Sequence, residues 1–349
     1  MTLDVAADGI LHFEDIQLGM SERMGARVVT RAEIIAFALQ FDPQPIHLDE
    51  TAAKASLVGG LCASGFHTCA LLMRLLCDHV LLKSSSLGSP GIDEVKWLRP
   101  LRPGDTLSMQ IETLEKRVLG SRPDVGIAKI VFSLINQNNE QVLTMLTNQL
   151  MRLRHPAAHA VPVTSERAAK NSPTPSVFDE GEAFLSSADG NHFEDIVVGD
   201  VRDIGSHTFD RDGIIAFARA FDPQPFHLNE EAGRRSLFGG LSASGWHTAG
   251  IFIRKVVDHR QAFQRDLIAR GKTLADWGPS PGFKMLQWPK PVLVGDTISF
   301  RQKIIDKVDL KSRPERGLVL SQAEGRNQRG ETVYRFSGMM FVSRRQARV

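Results

Sequence analysis

Apolar and polar positions follow two rhythms along this chain, and the same succession of rhythms occurs twice. Ala26–Val29 is strand-like, and Thr30-Arg31-Ala32-Glu33 has the spacing of a capping box, a hydroxyl followed three residues on by a carboxylate. A helix is predicted over Glu33–Phe41, ending near Asp42 because Pro43 and Pro45 disfavour helical geometry before them. A second helix is predicted over Ala63–Leu82. Leu71, Leu72, Met73, Leu75, Leu76 and Val80 spread around its wheel and leave no clean polar face, so protein should surround it. Alternating stretches then run over Ile92–Leu98, Thr106–Val118, Gly126–Asn136 and Val142–Arg152. Between them stand the turn signals Arg102-Pro103-Gly104-Asp105, Ser121-Arg122-Pro123-Asp124 and Asn136-Gln137-Asn138-Asn139. Successive strands with short turns make an antiparallel sheet.

The order then repeats, with Ser206–Phe209, Phe283–Pro289, Thr297–Lys307, Leu318–Asn327 and Thr332–Val342 as the matching strand-like stretches. Residues 34–68 and 214–248, set against each other at an offset of 180, agree at 24 of 35 positions, which marks an internal duplication. From Trp97/Trp288 onward the offset is 191, as at Gly104/Gly295 and Arg122/Arg313. The extra residues lie between His259 and Trp288 and are read as an enlarged loop after the second central helix, a candidate cover for a site. Residues 155–187, rich in Ala, Pro, Ser and Thr, are read as a linker between a unit at 11–154 and a unit at 188–343. A helix of ~20 residues is about 30 Å long, comparable to a strand of about nine. One such helix wrapped by a curved antiparallel sheet is the hot-dog arrangement. The expected fold is therefore α+β, a double hot-dog whose units pack as a pseudo-dimer with their sheets joined edge to edge.

Composition narrows the partners. At 349 residues there is chain for about two domains of ~150 residues, each able to bury a core without metal or disulfide. A net charge of +2 makes no strong field and gives no case for nucleic acid. The three cysteines all lie within Cys62–Cys77, and Ser242, Ala249 and Val257 stand in their places in the second copy, which argues for packing. No unbroken apolar run approaches the ~18 residues of a membrane span, and Asp4 and Asp8 spoil a signal-peptide reading, so a cytoplasmic setting without a membrane partner is expected.

The chemistry-bearing positions sit in the repeated segment. Asp42 and His47, and again Asp222 and His227, are five residues apart on a loop stiffened by prolines. Such a pair can converge on one water molecule, the imidazole exchanging a proton near neutral pH and the carboxylate holding or deprotonating the water. An aspartate before proline commonly braces a turn, and a lone histidine is commonly structural; repetition of both at fixed spacing favours chemistry. Gly59-Gly60-Leu61 is read as the entry to the buried helix, where free N–H groups and the helix dipole suit a developing oxyanion. His67 and His247 are read as structural, each with a hydrogen bond. No histidine, cysteine or carboxylate spacing matches a zinc pattern, and Gly271-Lys272-Thr273 lacks the upstream glycine of a P-loop. Arg122 and Arg313 are read as exposed turn arginines, with contact to coenzyme A phosphates as the alternative.

Phe41-Asp42-Pro43-Gln44-Pro45-Ile46-His47-Leu48, its copy at 221–228, and the Gly-Gly-Leu-x-Ala-Ser-Gly-x-His-Thr runs at 59–68 and 239–248 resemble MaoC-like dehydratases and the R-specific enoyl-CoA hydratases. Arg102-Pro103-Gly104-Asp105-Thr106-Leu107 and Val294-Gly295-Asp296-Thr297-Ile298 look like the same family, and the resemblance covers both units. Gln44 and Gln224 depart from it, since the hydratase motif has asparagine there. The resemblance implies that Asp42/His47 and Asp222/His227 are catalytic dyads. It also implies that Gly60 and Gly240 offer a backbone donor to a thioester carbonyl, and that Thr68 and Thr248 lie near the substrate. The implied reaction is reversible hydration of a 2-enoyl-CoA, with coenzyme A as part of the substrate and no metal or redox cofactor. With both dyads kept, two active sites per chain is the simplest expectation, in a monomeric pseudo-dimer or a homodimer. Thioester hydrolysis on the same fold and non-catalytic acyl-CoA binding are the rival functions.

Overall fold

The structure, a computed structural model, describes residues 9–21, 23–156, 178 and 190–345; the expected linker at 155–187 lies almost wholly outside the described residues. The first unit runs β1 (Gly19–Met20), β2 (Met24–Val28), α1 (Arg31–Phe41), α2 (Pro45–Leu48), α3 (Glu50–Lys54), α4 (Gly65–His79), β3 (Ser86–Gly88), β4 (Gly91–Trp97), β5 (Thr106–Leu119), β6 (Arg122–Ile135) and β7 (Gln141–Arg152). The second runs β8 (Val201–Thr208), α5 (Arg211–Phe221), α6 (Pro225–Leu228), α7 (Glu230–Arg235), α8 (Gly245–Ala269), β9 (Gly282–Gln287), β10 (Thr297–Asp309), β11 (Arg316–Arg326) and β12 (Thr332–Ser343). Thr30 caps α1 through the expected reciprocal box with Glu33, while Asp210 caps α5 alone, its carboxylate accepting from Gly213 N.

Among the described residues, twelve strands form one antiparallel sheet in the order β1-β5-β6-β7-β4-β9-β12-β11-β10-β8, with β2 on β5 and β3 on β7 as side branches. The double hot-dog is thus as expected, including the edge-to-edge join, which is β4 against β9 from Gly91↔Gln287 to Lys96↔Gly282. Two glycines make that seam possible. A Cβ on Gly91 would stand 2.3 Å from Leu286 O, and one on Gly282 2.1 Å from Val95 O. The two central helices and the two helices before them meet across the pseudo-twofold: Arg74 Nη1 donates to Arg219 O at 2.8 Å, and its counterpart Arg254 Nη1 donates to Leu39 O at 2.8 Å.

Three expectations change. The first central helix starts at Gly65, not near Gly59-Gly60 or at Ala63, because the Ser64 hydroxyl caps Phe66 N; Gly60 lies in the loop before it. The extra residues of the second unit are mostly helix: α8 runs ten residues past His259, the counterpart of His79 where α4 stops, before Arg270 and the left-handed Gly271 (φ +66°) end it. Finally, Gly65–Lys83 is long and apolar enough by composition to cross a membrane, though no single run of apolar residues announces it. In this fold it is a core helix, its residues Cys69, Leu71, Leu72, Leu75 and Leu76 buried against strand residues such as Leu107, Met109, Leu134 and Leu143.

Candidate active site

Each dyad is built by a helix ending and the next turn beginning. Asp42 is the C-cap of α1, its N–H on Ala38 O; Gln44 N returns to Asp42 O at 2.7 Å, and Pro45 opens the single turn that carries His47. Proline at that first position loses no hydrogen bond and presets the turn. His47 Nε2 then lies 3.4 Å from Asp42 Oδ2, and in the second unit His227 Nε2 lies 3.5 Å from Asp222 Oδ2, all four side chains buried. His47 Nδ1 faces Cys62 O at 2.9 Å and His227 Nδ1 faces Ser242 O at 2.7 Å. A carbonyl accepts only, so Nδ1 carries the hydrogen and Nε2 is the working nitrogen in both.

The aspartates have partners that the sequence did not reveal. Ser64 donates to Asp42 Oδ2 and Ser244 to Asp222 Oδ2, each at 2.6 Å, while the same hydroxyls cap the central helices. Gln44 and Gln224 donate to the other carboxylate oxygen at 2.8 and 2.9 Å, so the glutamine that departs from the family motif still ties down the loop. Cys77, from the opposite unit, gives Asp222 a further contact, Sγ to Oδ1 at 3.4 Å; burial pushes its thiol up, which keeps it a protonated donor. Thr68 and Thr248 are buried one turn into the central helices and donate to Ser64 O and Ser244 O. Gly60 and Gly240 have no hydrogen-bond partner on N–H among the described residues, whereas the Gly60 carbonyl accepts from Arg102. His67 and His247 do not make the hydrogen bonds expected of them. They stack on Phe37 and Phe217, centroids 4.5 and 4.8 Å apart, and burial pushes each to about 3, so they are neutral.

Burial alone would raise Asp42 and lower His47, but each outweighs this for the other. The facing imidazole, with Ser64 and Gln44, holds the Asp42 carboxyl below the usual range, and the Asp42 carboxylate lifts His47 to about 10. A histidine raised on folding contributes stability that is whole below its unfolded value of 6.5 and is lost as pH climbs toward about 10. Wild type is therefore expected to lose melting temperature faster than His47→Gln between neutral and alkaline pH; parallel losses would contradict the ion pair.

The two dyads open on different surroundings. Asp222, Gln224, His227, Ser242, Trp246 and Thr248 line a cavity of about 160 Å³ whose far wall belongs to the first unit, including Leu72, Met73, Leu76, Ile92, Met145 and Gln149. Gly245 also lines it, and has no room for a side chain because a Cβ would lie 2.4 Å from the Trp288 ring. Around Asp42 and His47 bulkier side chains stand at the matching positions. Leu72, Ile92 and Met145 have as counterparts Phe252, Phe283 and Phe336, whose rings pack at 5.1–5.2 Å. Val80 and Leu81 have as counterparts Arg260 and Gln261 on the extended α8. Arg260 donates to Gln44 Oε1 and lies 3.6 Å from Met340 Sδ, and Gln261 donates to Pro43 O at 2.9 Å. Gln44 and Met340 correspond to Gln224 and Gln149, both of which line the open cavity, so Arg260 joins the counterparts of two cavity-lining residues. Arg102, where the second unit has Leu293, pins the loop of the first site through Val58 O, Gly60 O and Leu61 O. Arg313, over the Phe341 ring, lies in a turn as expected, whereas Arg122, paired with Asp124, is exposed at the first position of β6 and not in a turn at 121–124.

The chain is 26% identical to YdeM of Bacillus subtilis, described as uncharacterized, over 38% of this chain and 92% of that one. It is 27% identical to a 3-hydroxybutyryl-CoA dehydratase of Methylorubrum extorquens over 30% of this chain and 66% of that one, so this match stays just short of two-thirds of the relative. Among solved structures, a MaoC domain protein of Chloroflexus aurantiacus superposes with a TM-score of 0.73 at 16% identity, covering 96% of this chain and 98% of that one. A Mycobacterium tuberculosis protein described as a double hotdog fold superposes with a TM-score of 0.66 at 16% identity, covering 96% and 100%. The family described as MaoC like domain matches twice, over residues 17–133 and 197–322. With one copy of that domain in each unit, the chain belongs to the MaoC-like dehydratase family.

Proposed function

We propose that this protein catalyses the reversible hydration of a 2-enoyl-CoA to a 3-hydroxyacyl-CoA at Asp222 and His227. The observation that carries the reading is a buried aspartate–histidine pair, its carboxylate gripped by Ser244 and Gln224, facing an apolar cavity. In the ion-pair form the Asp222 carboxylate takes a proton from water as the oxygen bonds to C3. The π electrons move toward the thioester carbonyl, and His227 delivers its Nε2 proton to C2 as that carbonyl re-forms. Proton transfer from Asp222 to His227 then restores the pair, so no net proton is gained or lost. The developing oxyanion needs donors. The first turn of α8, with Gly245, Trp246 and Thr248 on the cavity, brings the positive end of a 25-residue helix there, whereas Gly240 is not among the residues that line it. No step requires a metal or redox cofactor.

Asp42 and His47 have the same geometry, but Arg260, Phe252, Phe283 and Phe336 are larger than the residues at the corresponding positions of the other half, which favours one working site per chain over two. The reaction is tested by following enoyl absorbance and free thiol together on crotonyl-CoA. Loss of absorbance without thiol release supports hydration; thiol release at the same rate means thioester hydrolysis, and neither change with any acyl-CoA means a binding protein.

A further inference from the structure

Asp222 is held from both units. Its Oδ2 accepts from Ser244 at 2.6 Å and faces His227 Nε2 at 3.5 Å, and its Oδ1 accepts from Gln224 at 2.9 Å. The fourth contact comes from α4 of the first unit, where the fully buried Cys77 thiol donates to Oδ1 at 3.4 Å. The crossing of α4 over the end of α5 sets this contact. Arg74 Nη1 donates to Arg219 O in the last turn of α5, and three residues further along α4 Cys77 meets Asp222, the cap of that helix. The first dyad is served differently. Arg254 makes the matching bond to Leu39 O, but Val257 stands in the place of Cys77 and has no side-chain donor. There Arg260 braces the glutamine instead, donating to Gln44 Oε1. The counterpart of Arg260 is Val80, which has no side-chain donor to do the same for Gln224. Asp222, Gln224 and His227 all line the open cavity and Cys77 does not, so the thiol holds the carboxylate without taking space that a substrate needs.

Resting on the hydratase reading, we propose that Cys77 of the first unit is a positioning residue for the reaction at the second, its thiol fixing the orientation in which the Asp222 carboxylate takes a proton from water. A thiol is a weak donor, but here its acceptor is ionised and both groups are buried, where a hydrogen bond is strongest. Without it Oδ1 keeps Gln224 alone, a donor on the same loop as the aspartate, and loses the hold that the opposite unit supplies. A reacting group misplaced by about 1 Å can cost about 10²-fold. With Ser244 and Gln224 still in place the loss is smaller, about tenfold, the worth of one modest hydrogen bond to a charged group. The catalytic site of the second unit is then complete only with a residue of the first.

Cys77→Val gives the second dyad the residue that the first one has. That variant, and Cys77→Ala beside it, are expected to lower kcat on crotonyl-CoA by about tenfold while KM stays within about twofold. Cys77→Ser keeps a donor and should remain within about threefold of wild type. A role in packing alone would reverse the order and favour Cys77→Val over Cys77→Ser, because the place is buried. The bond itself is read without substrate from the infrared S–H stretch of Cys77, isolated as the difference between a protein and its Cys77→Ser form. The band is expected at lower frequency in wild type than in Asp222→Asn, where the acceptor is neutral. An unmoved band would overturn the proposal, as would wild-type kcat in Cys77→Val and Cys77→Ala variants that melt like wild type. Absence of hydration in wild type with the band still moving would sink the hydratase reading while the hold on Asp222 stands.

Discussion

Asp222→Asn is expected to lower kcat/KM for an enoyl-CoA by about 10²–10⁴-fold, the usual contribution of one positioned proton donor or acceptor. Asp42→Asn should leave it within about twofold, since that residue makes no proton transfer at the open site. The two substitutions are matched. Both remove one carboxylate oxygen from a buried pair with histidine 3.4–3.5 Å away and a serine at 2.6 Å, and both are isosteric. Only their surroundings differ, open cavity against Arg260 and three phenylalanine rings. Steady-state kinetics on each variant, with melting curves to confirm folding, decides it. Equal losses would mean two coupled or equivalent sites.

The second large effect is on stability. Gly282→Ala puts a methyl carbon 2.1 Å from Val95 O, and the obstacle is backbone of the paired strand, which cannot rotate away as a side chain can. Overpacking of this kind costs about 1–3 kcal/mol. Because β4 and β9 join the units, and the cavity at Asp222 lies between them, the same substitution should lower activity beyond what the shift in melting accounts for. A denaturant midpoint unchanged from wild type would mean the seam is not built as described.

Much of this was legible in the residues because it is local. Alternation gave the long strands of both units to within a few residues, and the twice-written Asp-Pro-Gln-Pro-x-His loop marked both dyads. What escaped depends on contacts distant in sequence. Ser64 and Ser244 stood in plain sight as small residues before a helix, but a hydroxyl that caps a helix and grips a carboxylate 22 positions back requires the fold to be known. Cys77 reaches Asp222 and Arg260 reaches Gln44 only across the unit interface, where one sequence carries no sign of who faces whom. The mistaken loop after His259 was different, a local signal overlooked. Gln261–Ala269 consists largely of good helix formers, and Gly271 is the stop such a helix commonly has.

The claim beneath all of this is that the Asp222/His227 pair adds water to a carbon–carbon double bond and leaves the thioester whole. Turnover of crotonyl-CoA in deuterated water, followed by mass spectrometry of the acyl-CoA product, tests it directly. The expected product is an intact thioester with a hydroxyl at C3 and a single deuterium at C2, formed by wild type and Asp42→Asn and absent with Asp222→Asn. Free coenzyme A as the product, or deuterium entering C2 equally fast in Asp222→Asn, would contradict the account.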